Sequence, residues 1–544
     1  MSITTSTPAR IGGHVVAESL AALGAGAAFG VPGVHALAIW DGLRQTGLPV
    51  YGARTELGAG FAADGYARST GQAAPLILST GPGALNSLTA LMEAASSHVP
   101  VVAVCSQIPS DLIGRGWGHL HELADQIASF APIVKHAARA HSVESIPGII
   151  SRAWRIALTP PSGPVFVEVP VDLLRAPAEI DQVTSLEAVV ERECAPLDQV
   201  EVAATMLAHA GRPVLWAGGG VLRSRAREEL QALAQLLDAP VVTTYMGKGA
   251  ISEDHPLAVG SGCDEAAVME LLSGADVLLC VGTELGEQTT SGYTLDLRGR
   301  IIHLDAAPER VGTSYPSVPL VGDAKLTLMA LCSELAGHPD GNGDGARRAA
   351  AVRERVAAGL QAQGRDAELE ILRAVQRALP ADAIACWDMT ILGYWAAAHL
   401  RVTGGQQFHY PLGSGTLGYA WPAAIGATVG HRERPVLAVV GDGGIQYALG
   451  ELGTAAQHRV AAKLLIVDDG GYGILREYQT ADYDRTTAVE LPGKDLRAIA
   501  AGFGLPARDT TSGDLDGDLQ WLLAQPGPAV LVLKARLRSA LPTP

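Results

Sequence analysis

The sequence predicts an α/β protein built as three α/β domains with mostly parallel sheets, and three observations predict it. Short apolar runs alternate with helical patterns along most of the 544 residues, as parallel strands covered by helices require. Glycine is abundant (63 of 544) while aromatic residues are only 5%, which favours many tight strand-to-helix turns over an aromatic-rich barrel or sandwich. The length suits three or four units at about 150 residues each.

Residues 1–180 form the first block, with strands predicted over 27–31, 74–79, 99–106 and 164–169 and helices over 57–68 and 84–95. The polar, acid- and proline-bearing stretch 176–199 reads as a linker. The central block, 195–340, has strands over 213–217, 240–244, 276–282 and 300–305. The run Gly337-His-Pro-Asp-Gly-Asn-Gly-Asp-Gly345 marks a second linker. The third block, 360–544, has strands over 383–387, 435–440, 462–468 and 529–534. The absence of any short repeat argues against a solenoid.

Composition excludes several function classes. A net charge of −16, from 40 basic and 56 acidic side chains, argues against nucleic acid as the main partner. With 48% hydrophobic and 18% charged residues the chain is not a disordered polymer. No run of about 18 apolar residues predicts a membrane span, and the polar segment 1–10 lacks the core of a signal peptide. The six cysteines are scattered without a CxxC pair, so buried free thiols in a reducing cytoplasm are expected.

The chemistry concentrates in the third block. A buried strand runs into Gly441-Asp442-Gly443-Gly444, and a helix is predicted over 445–458. Glycines there let the backbone approach a ligand closely, and a helix start favours an anion. Asp442 offers a hard oxygen to a divalent cation bridging to phosphate. The next strand ends at Asp468-Asp469, 27 positions after Asp442, and continues Gly470-Gly471-Tyr472-Gly473. Successive parallel strands end at one edge, so Asp442 and Asp469 can converge on one cation, with the Gly471 carbonyl as a third ligand.

This arrangement resembles the thiamine diphosphate (ThDP) enzymes of the acetolactate synthase, benzoylformate decarboxylase and pyruvate decarboxylase group, over nearly the whole chain. The resemblance implies a pyrimidine-binding domain, a Rossmann-like central domain and a diphosphate-binding domain, with ThDP and Mg2+ as cofactors. One departure is the Asp468-Asp469 pair where the family has a paired Asn; it adds a negative charge beside the diphosphate and predicts a more ionic demand on the cation.

In the first block, Thr55-Glu56-Leu57-Gly58 opens a helix of small residues. The resemblance gives Glu56 the role of hydrogen-bonding N1′ of the aminopyrimidine, and Leu417, in Gly415-Thr416-Leu417-Gly418, that of propping the cofactor in its bent form. It implies further cofactor contacts from Pro32, from Gly81 and Asn86 of Ser79-Thr80-Gly81-Pro82-Gly83-Ala84-Leu85-Asn86, from Gly415 and Thr416, from Gly441, Gly443 and Gly444, and from Tyr472 and Gly473. It also implies a homodimer or homotetramer in which Glu56 and Asp442 of one site belong to different chains.

The central block has Gly218-Gly219-Gly220, an incomplete dinucleotide fingerprint, and lacks the family's FAD-linked Arg-Phe-Asp-Asp-Arg run, so FAD is not expected. The implied reaction is non-oxidative decarboxylation of a 2-oxo acid, with carboligation as an additional outcome. His119, His121 and Glu122 are candidates to transfer protons or recognise a polar substrate tail. Pro32-Gly33 leads to Val34-His35 rather than to the acid of pyruvate decarboxylases, which disfavours simple pyruvate decarboxylation. The extra acids Glu122, Asp469 and Glu477 point to a larger substrate with a cationic tail such as a guanidino group. The alternatives are an acetolactate synthase-like ligase and a non-catalytic assembly protein; Glu56 and Leu417 speak against the latter.

Overall fold

The structure is a computed structural model that describes residues 10–337, 343–405 and 407–540. Residues 1–9 of the polar N-terminal segment and 338–342 of the second linker lie outside the described residues.

Three six-stranded sheets follow one another along the chain, each with all its ladders parallel. The first orders its strands Val50–Gly52, Ala28–Gly30, Ala74–Leu78, Val101–Gln107, Val165–Pro170, His136–Arg139. The second runs Val318–Val321, Arg300–Asp305, Val277–Val281, Val214–Ala217, Val241–Thr243, Ala258–Gly260. The third runs Phe408–His409, Ile384–Trp387, Val436–Gly441, Lys463–Asp468, Ala529–Lys534, Ala507–Thr510.

Four strands in each sheet coincide with those read from the sequence, and the two that were not read are its two edge strands in every case. The reason is exposure. The central strand Val101–Gln107 is buried throughout and reads as a continuous apolar run, whereas His136–Arg139 is half-buried and Ala507–Thr510 has two exposed positions.

Two predicted helices are corrected. The 84–95 helix is two pieces, Pro82–Leu85 and Leu88–Ser96, because Ser87 turns its hydroxyl back onto the Ala84 carbonyl (2.7 Å). The 445–458 helix is a single tight turn, Gly444–Tyr447, followed by Glu451–His458. The 176–199 linker has no helix until Leu197. Past residue 340, the helix Gly345–Ala362 puts Ala349 and Val352 into the central core and Leu360 into the third.

The first and third domains share one core, joined where the helix Glu56–Thr70 packs on Ala420–Gly430. Glycine makes the approach possible: a Cβ on Gly65 would strike the Ala423 carbonyl, and one on Gly426 the Ala62 carbonyl. Phe61 and Trp421 are fully buried in this seam; each such side chain stabilises by about 2–3 kcal/mol. A charged network crosses it. Arg68 donates to Asp64 (2.6 Å) and Glu93 (2.7 Å), the Tyr419 hydroxyl donates to Asp64 (2.7 Å), and all four are buried or nearly so.

No helix among the described residues is long and apolar enough to cross a membrane. The six cysteines are unpaired, with Cys105, Cys263, Cys280 and Cys386 buried and Cys194 and Cys332 half-buried.

Candidate active site

Parallel sheets present their functional residues where strands end, and here both outer sheets do so. In the first, Pro32 follows Ala28–Gly30 and Gly81 follows Ala74–Leu78. Glu56 opens its helix, which Thr55 caps by accepting the Gly58 N–H (2.9 Å). The Glu56 carboxylate is half-buried and accepts from Asn86 Nδ2 (3.2 Å). A Cβ on Gly83 would stand 3.1 Å from its Oε1, so the 79–86 loop lies directly against it.

That same loop carries Gly81 in a left-handed conformation (φ +64°) that glycine alone takes without strain, and a Cβ there would meet the His121 carbonyl at 2.6 Å. Gly81 N donates to the fully buried Gln126 (2.9 Å), whose amide in turn donates to Glu168 (2.8 Å). Gln126 and Glu168 were not singled out in the sequence; a buried Gln next to a polar loop is their only signal.

Three histidines gather at this edge. The His35 ring lies 5.2 Å from that of His121 and 6.1 Å from that of His119. His35 is buried, and among the described residues the Nδ1 atoms of His35 and His121 have no hydrogen-bond partner. Burial, with His121 and His119 beside it, holds His35 below the ordinary imidazole range. Glu122 serves differently: its carboxylate accepts the backbone N–H groups of Gly116 (2.8 Å) and His119 (2.9 Å), which hold it below the usual range and close the loop that carries the histidines.

In the third sheet Gly441 pairs with Val467, so the two strands deliver Asp442 and Asp469 to one edge. Asp442 is buried; its Oδ1 accepts the Asp469 N–H at 3.4 Å. Its Oδ2 receives no well-directed hydrogen bond among the described residues, but pairs with Lys494 Nζ 2.5 Å away. Burial and the facing Asp442 push the Asp469 carboxyl up to about 6, against the pull of Arg476 at 3.7 Å. Two facing carboxylates delivered to one strand edge are a hard-oxygen donor set that a divalent cation would satisfy, so the residues fit one.

Glycines shape the rest of the cradle. A Cβ on Gly443 would strike the Tyr472 ring, one on Gly444 the Asp388 carboxylate (2.7 Å), and one on Gly473 the Asp469 carboxylate. Gly471 N donates to Asp469 Oδ1 (3.1 Å). The extra charge of the Asp468-Asp469 pair has counter-ions, since Asp468 faces Lys534 and Lys494 and Asp469 faces Arg476.

The loop that carries Gly415, Thr416 and Leu417 is held at both ends. Ser414 donates its N–H (2.7 Å) and hydroxyl (2.8 Å) to Glu93 of the first domain. Gly418 N donates to Asp388 (2.9 Å), a buried carboxylate that burial pushes up to about 7 despite the N–H groups of Met389 and Gly418. Leu417 and Thr416 are half-buried, Gly415 exposed. A cleft of about 630 Å3 between the three domains, lined among others by Arg223, Thr283 and Asp305, reaches Gly415. Asp388 was missed because a lone Asp after an apolar strand has no motif.

Glu477 accepts the Ser539 N–H and hydroxyl, and Glu122 the Gly116 and His119 N–H groups, so each carboxylate also has a structural role. No hydrogen bond or ion pair among the described residues joins Glu56 to Asp442, Asp469 or Leu417.

Residues 10–129 match the family model described as the N-terminal TPP binding domain of thiamine pyrophosphate enzymes. Residues 200–331 match their central domain and 388–533 their C-terminal TPP binding domain. The chain is 35% identical to a probable 2-ketoarginine decarboxylase of Pseudomonas aeruginosa, over 96% of this chain and 93% of that one. It is 31% identical to a probable acetolactate synthase large subunit of Methanococcus aeolicus, over 88% and 84%. It is 30% identical to the acetolactate synthase isozyme 1 large subunit of Escherichia coli, over 97% and 94%. With its three parallel-sheet domains and both strand-end clusters in place, the chain belongs to the family of thiamine diphosphate-dependent enzymes.

Proposed function

We propose that the chain is a ThDP- and Mg2+-dependent, non-oxidative decarboxylase of a 2-oxo acid larger than pyruvate, with 5-guanidino-2-oxopentanoate (2-ketoarginine) as the favoured substrate. The observation that carries this reading is the loop 79–86, which packs against Glu56 on one side and His121 on the other. It sets a carboxylate suited to the cofactor ring beside a group of histidines suited to delivering a proton. The 35% identity to a protein named as a probable 2-ketoarginine decarboxylase supports the choice of substrate.

Bound ThDP supplies the electron sink that lets a 2-oxo acid lose CO2. The chain's own residues do the rest. Glu56 holds a proton at N1′ of the aminopyrimidine, and Leu417 supports the ring pair from the loop fixed by Glu93 and Asp388. Asp442, Asp469 and the Gly471 carbonyl would hold Mg2+, and Gly441, Gly443, Gly444, Tyr472 and Gly473 would form the diphosphate cradle. Pro32, Gly81, Asn86, Gly415 and Thr416 complete the walls.

The net change is R–CO–CO2− + H+ → R–CHO + CO2, so one proton must reach the carbon that loses CO2. His121, whose backbone lies against Gly81, and His119, with His35 beside them, are candidates to deliver it, and Glu122 accepts the His119 N–H. The site is shared between two chains, in a homodimer or homotetramer, as the family's arrangement implies.

The test is CO2 release from a panel of 2-oxo acids with ThDP and Mg2+, with products identified. Formation of 4-guanidinobutanal from 2-ketoarginine is the expected result; turnover of pyruvate alone overturns the substrate. A second reading, an acetolactate synthase-like ligase, is favoured by the names of the 30–31% identical relatives and is recognised by acetolactate formed from pyruvate.

A further inference from the structure

We infer that Lys494 is a built-in placeholder for the divalent cation: its ammonium pairs with Asp442 and must be displaced for the cation to bind. The inference rests on the cofactor reading above and concerns a residue outside its metal-ligand set.

Lys494 Nζ lies 2.5 Å from Asp442 Oδ2 and 3.8 Å from Asp468 Oδ1. Its side chain is 13% exposed and that of Asp442 1%, so the contact is screened little by solvent. The ammonium stands on the one Asp442 oxygen that no well-directed hydrogen bond reaches; the other faces the Asp469 N–H. The neighbouring cations are committed elsewhere: Lys534 pairs with Asp468, and Arg476 with Glu490 (2.6 Å) and Asp469 (3.7 Å). Among the described residues, Lys494 is the cation that forms an ion pair with Asp442.

The segment that brings Lys494 in is fastened to the metal turn itself. Tyr472 N donates to the Val489 carbonyl and Leu491 N to that of Gly470, both at 2.8 Å, and Gly471 bridges Glu490. Lys494 therefore returns to the same place next to the Asp469–Gly471 turn whenever that turn is formed.

The physical consequence follows from competition. An unpaired carboxylate as buried as Asp442 would be costly, so the ammonium stabilises it whenever no cation is bound. A divalent cation needs the same oxygen and is repelled by a charge standing there. The apparent affinity for the cation is then reduced by the fraction of time Asp442 is free. The long flexible stem of lysine lets the ammonium withdraw to water, which a rigid partner could not do. If the pair is formed about nine-tenths of the time, the reduction is about tenfold.

The test titrates Mn2+ into the full-length protein without ThDP and reads free Mn2+ by electron paramagnetic resonance. Lys494→Met, and Lys494→Gln as a second charge-free variant, are expected to bind Mn2+ about tenfold more tightly than wild type. Lys494→Arg is expected to stay within about threefold of wild type, and so is Lys534→Met, which removes the Asp468 partner. The metal-free Lys494→Met protein should also melt lower than wild type, with the gap closing at saturating Mn2+. Affinity that is unchanged, weaker or absent in both charge-free variants overturns the placeholder. ThDP uptake by the wild type, measured separately, tells that failure from failure of the cofactor reading: normal uptake leaves the reading standing.

Discussion

Glu451 lies in the third domain yet gives its carboxylate to Thr55, the residue that caps the helix beginning at Glu56. Glu451 Oε1 accepts the Thr55 N–H (3.1 Å) and hydroxyl (3.1 Å), and both oxygens lie 3.2 Å from the Arg54 N–H. Thr454 Oγ1 braces the other side. The helix that follows the Gly-Asp-Gly turn thus fixes where the first-domain carboxylate begins, and the two domains of one chain set each other's geometry.

Removing that brace should be felt in stability. Glu451→Ala leaves two backbone N–H groups without their acceptor and opens space beside Gly58, so a loss of about 2–4 kcal/mol is expected. A fall in the urea midpoint of the shared first- and third-domain core checks it.

Glu56 should matter to chemistry more than to folding. Glu56→Gln keeps the shape and the Asn86 contact but removes the carboxylate, and a fall in kcat of about 10^2–10^4 is expected. ThDP affinity by calorimetry should change far less than kcat.

Glu122 and His121 should separate by pH profile. Glu122 holds backbone, so Glu122→Gln is expected to lower kcat/KM by less than about tenfold without moving the pH dependence of kcat. His121→Gln should change that dependence, because it removes the ring whose presence, after burial, helps to hold His35 below the ordinary imidazole range. Steady-state rates from pH 5 to 9 distinguish the two.

Asp388 gives the fold a pH dependence of definite sign. The unfolded chain loses this proton near 3.8, whereas the folded protein keeps it to about 7, because burial opposes the charge more than the surrounding N–H groups favour it. The folded state therefore holds the extra proton between those values, and stability falls as pH rises through that window. The loss is on the order of 2–4 kcal/mol. Asp388→Asn should flatten this part of the profile, read as a smaller difference between thermal midpoints at pH 5 and pH 8.

What was legible in the sequence follows burial and motif. Continuous apolar runs gave the four inner strands of each sheet, while edge strands such as His136–Arg139 carry too few fully buried positions to stand out. Asp442, Asp469 and Glu56 were found because glycine spacing and helix starts mark them. Asp388, Glu93 and Lys494 were not, because each reaches its partner across a long stretch of chain: Glu93 meets Ser414, and Lys494 comes back to Asp442 through an irregular segment. Sequence alone also does not reveal that Glu122 and Glu477 accept hydrogen bonds from backbone N–H groups and Ser539.

The central claim is that Glu56 of one chain and Asp442 of its mate serve the two ends of one ThDP molecule. Co-expressing Glu56→Gln and Asp442→Ala chains under two different tags, and purifying the mixed dimer, tests it most directly. Each variant alone should be nearly inactive in CO2 release, and the mixed dimer, with one intact site of two, should recover about half of wild-type activity. A mixed dimer as inactive as its parents would contradict the account.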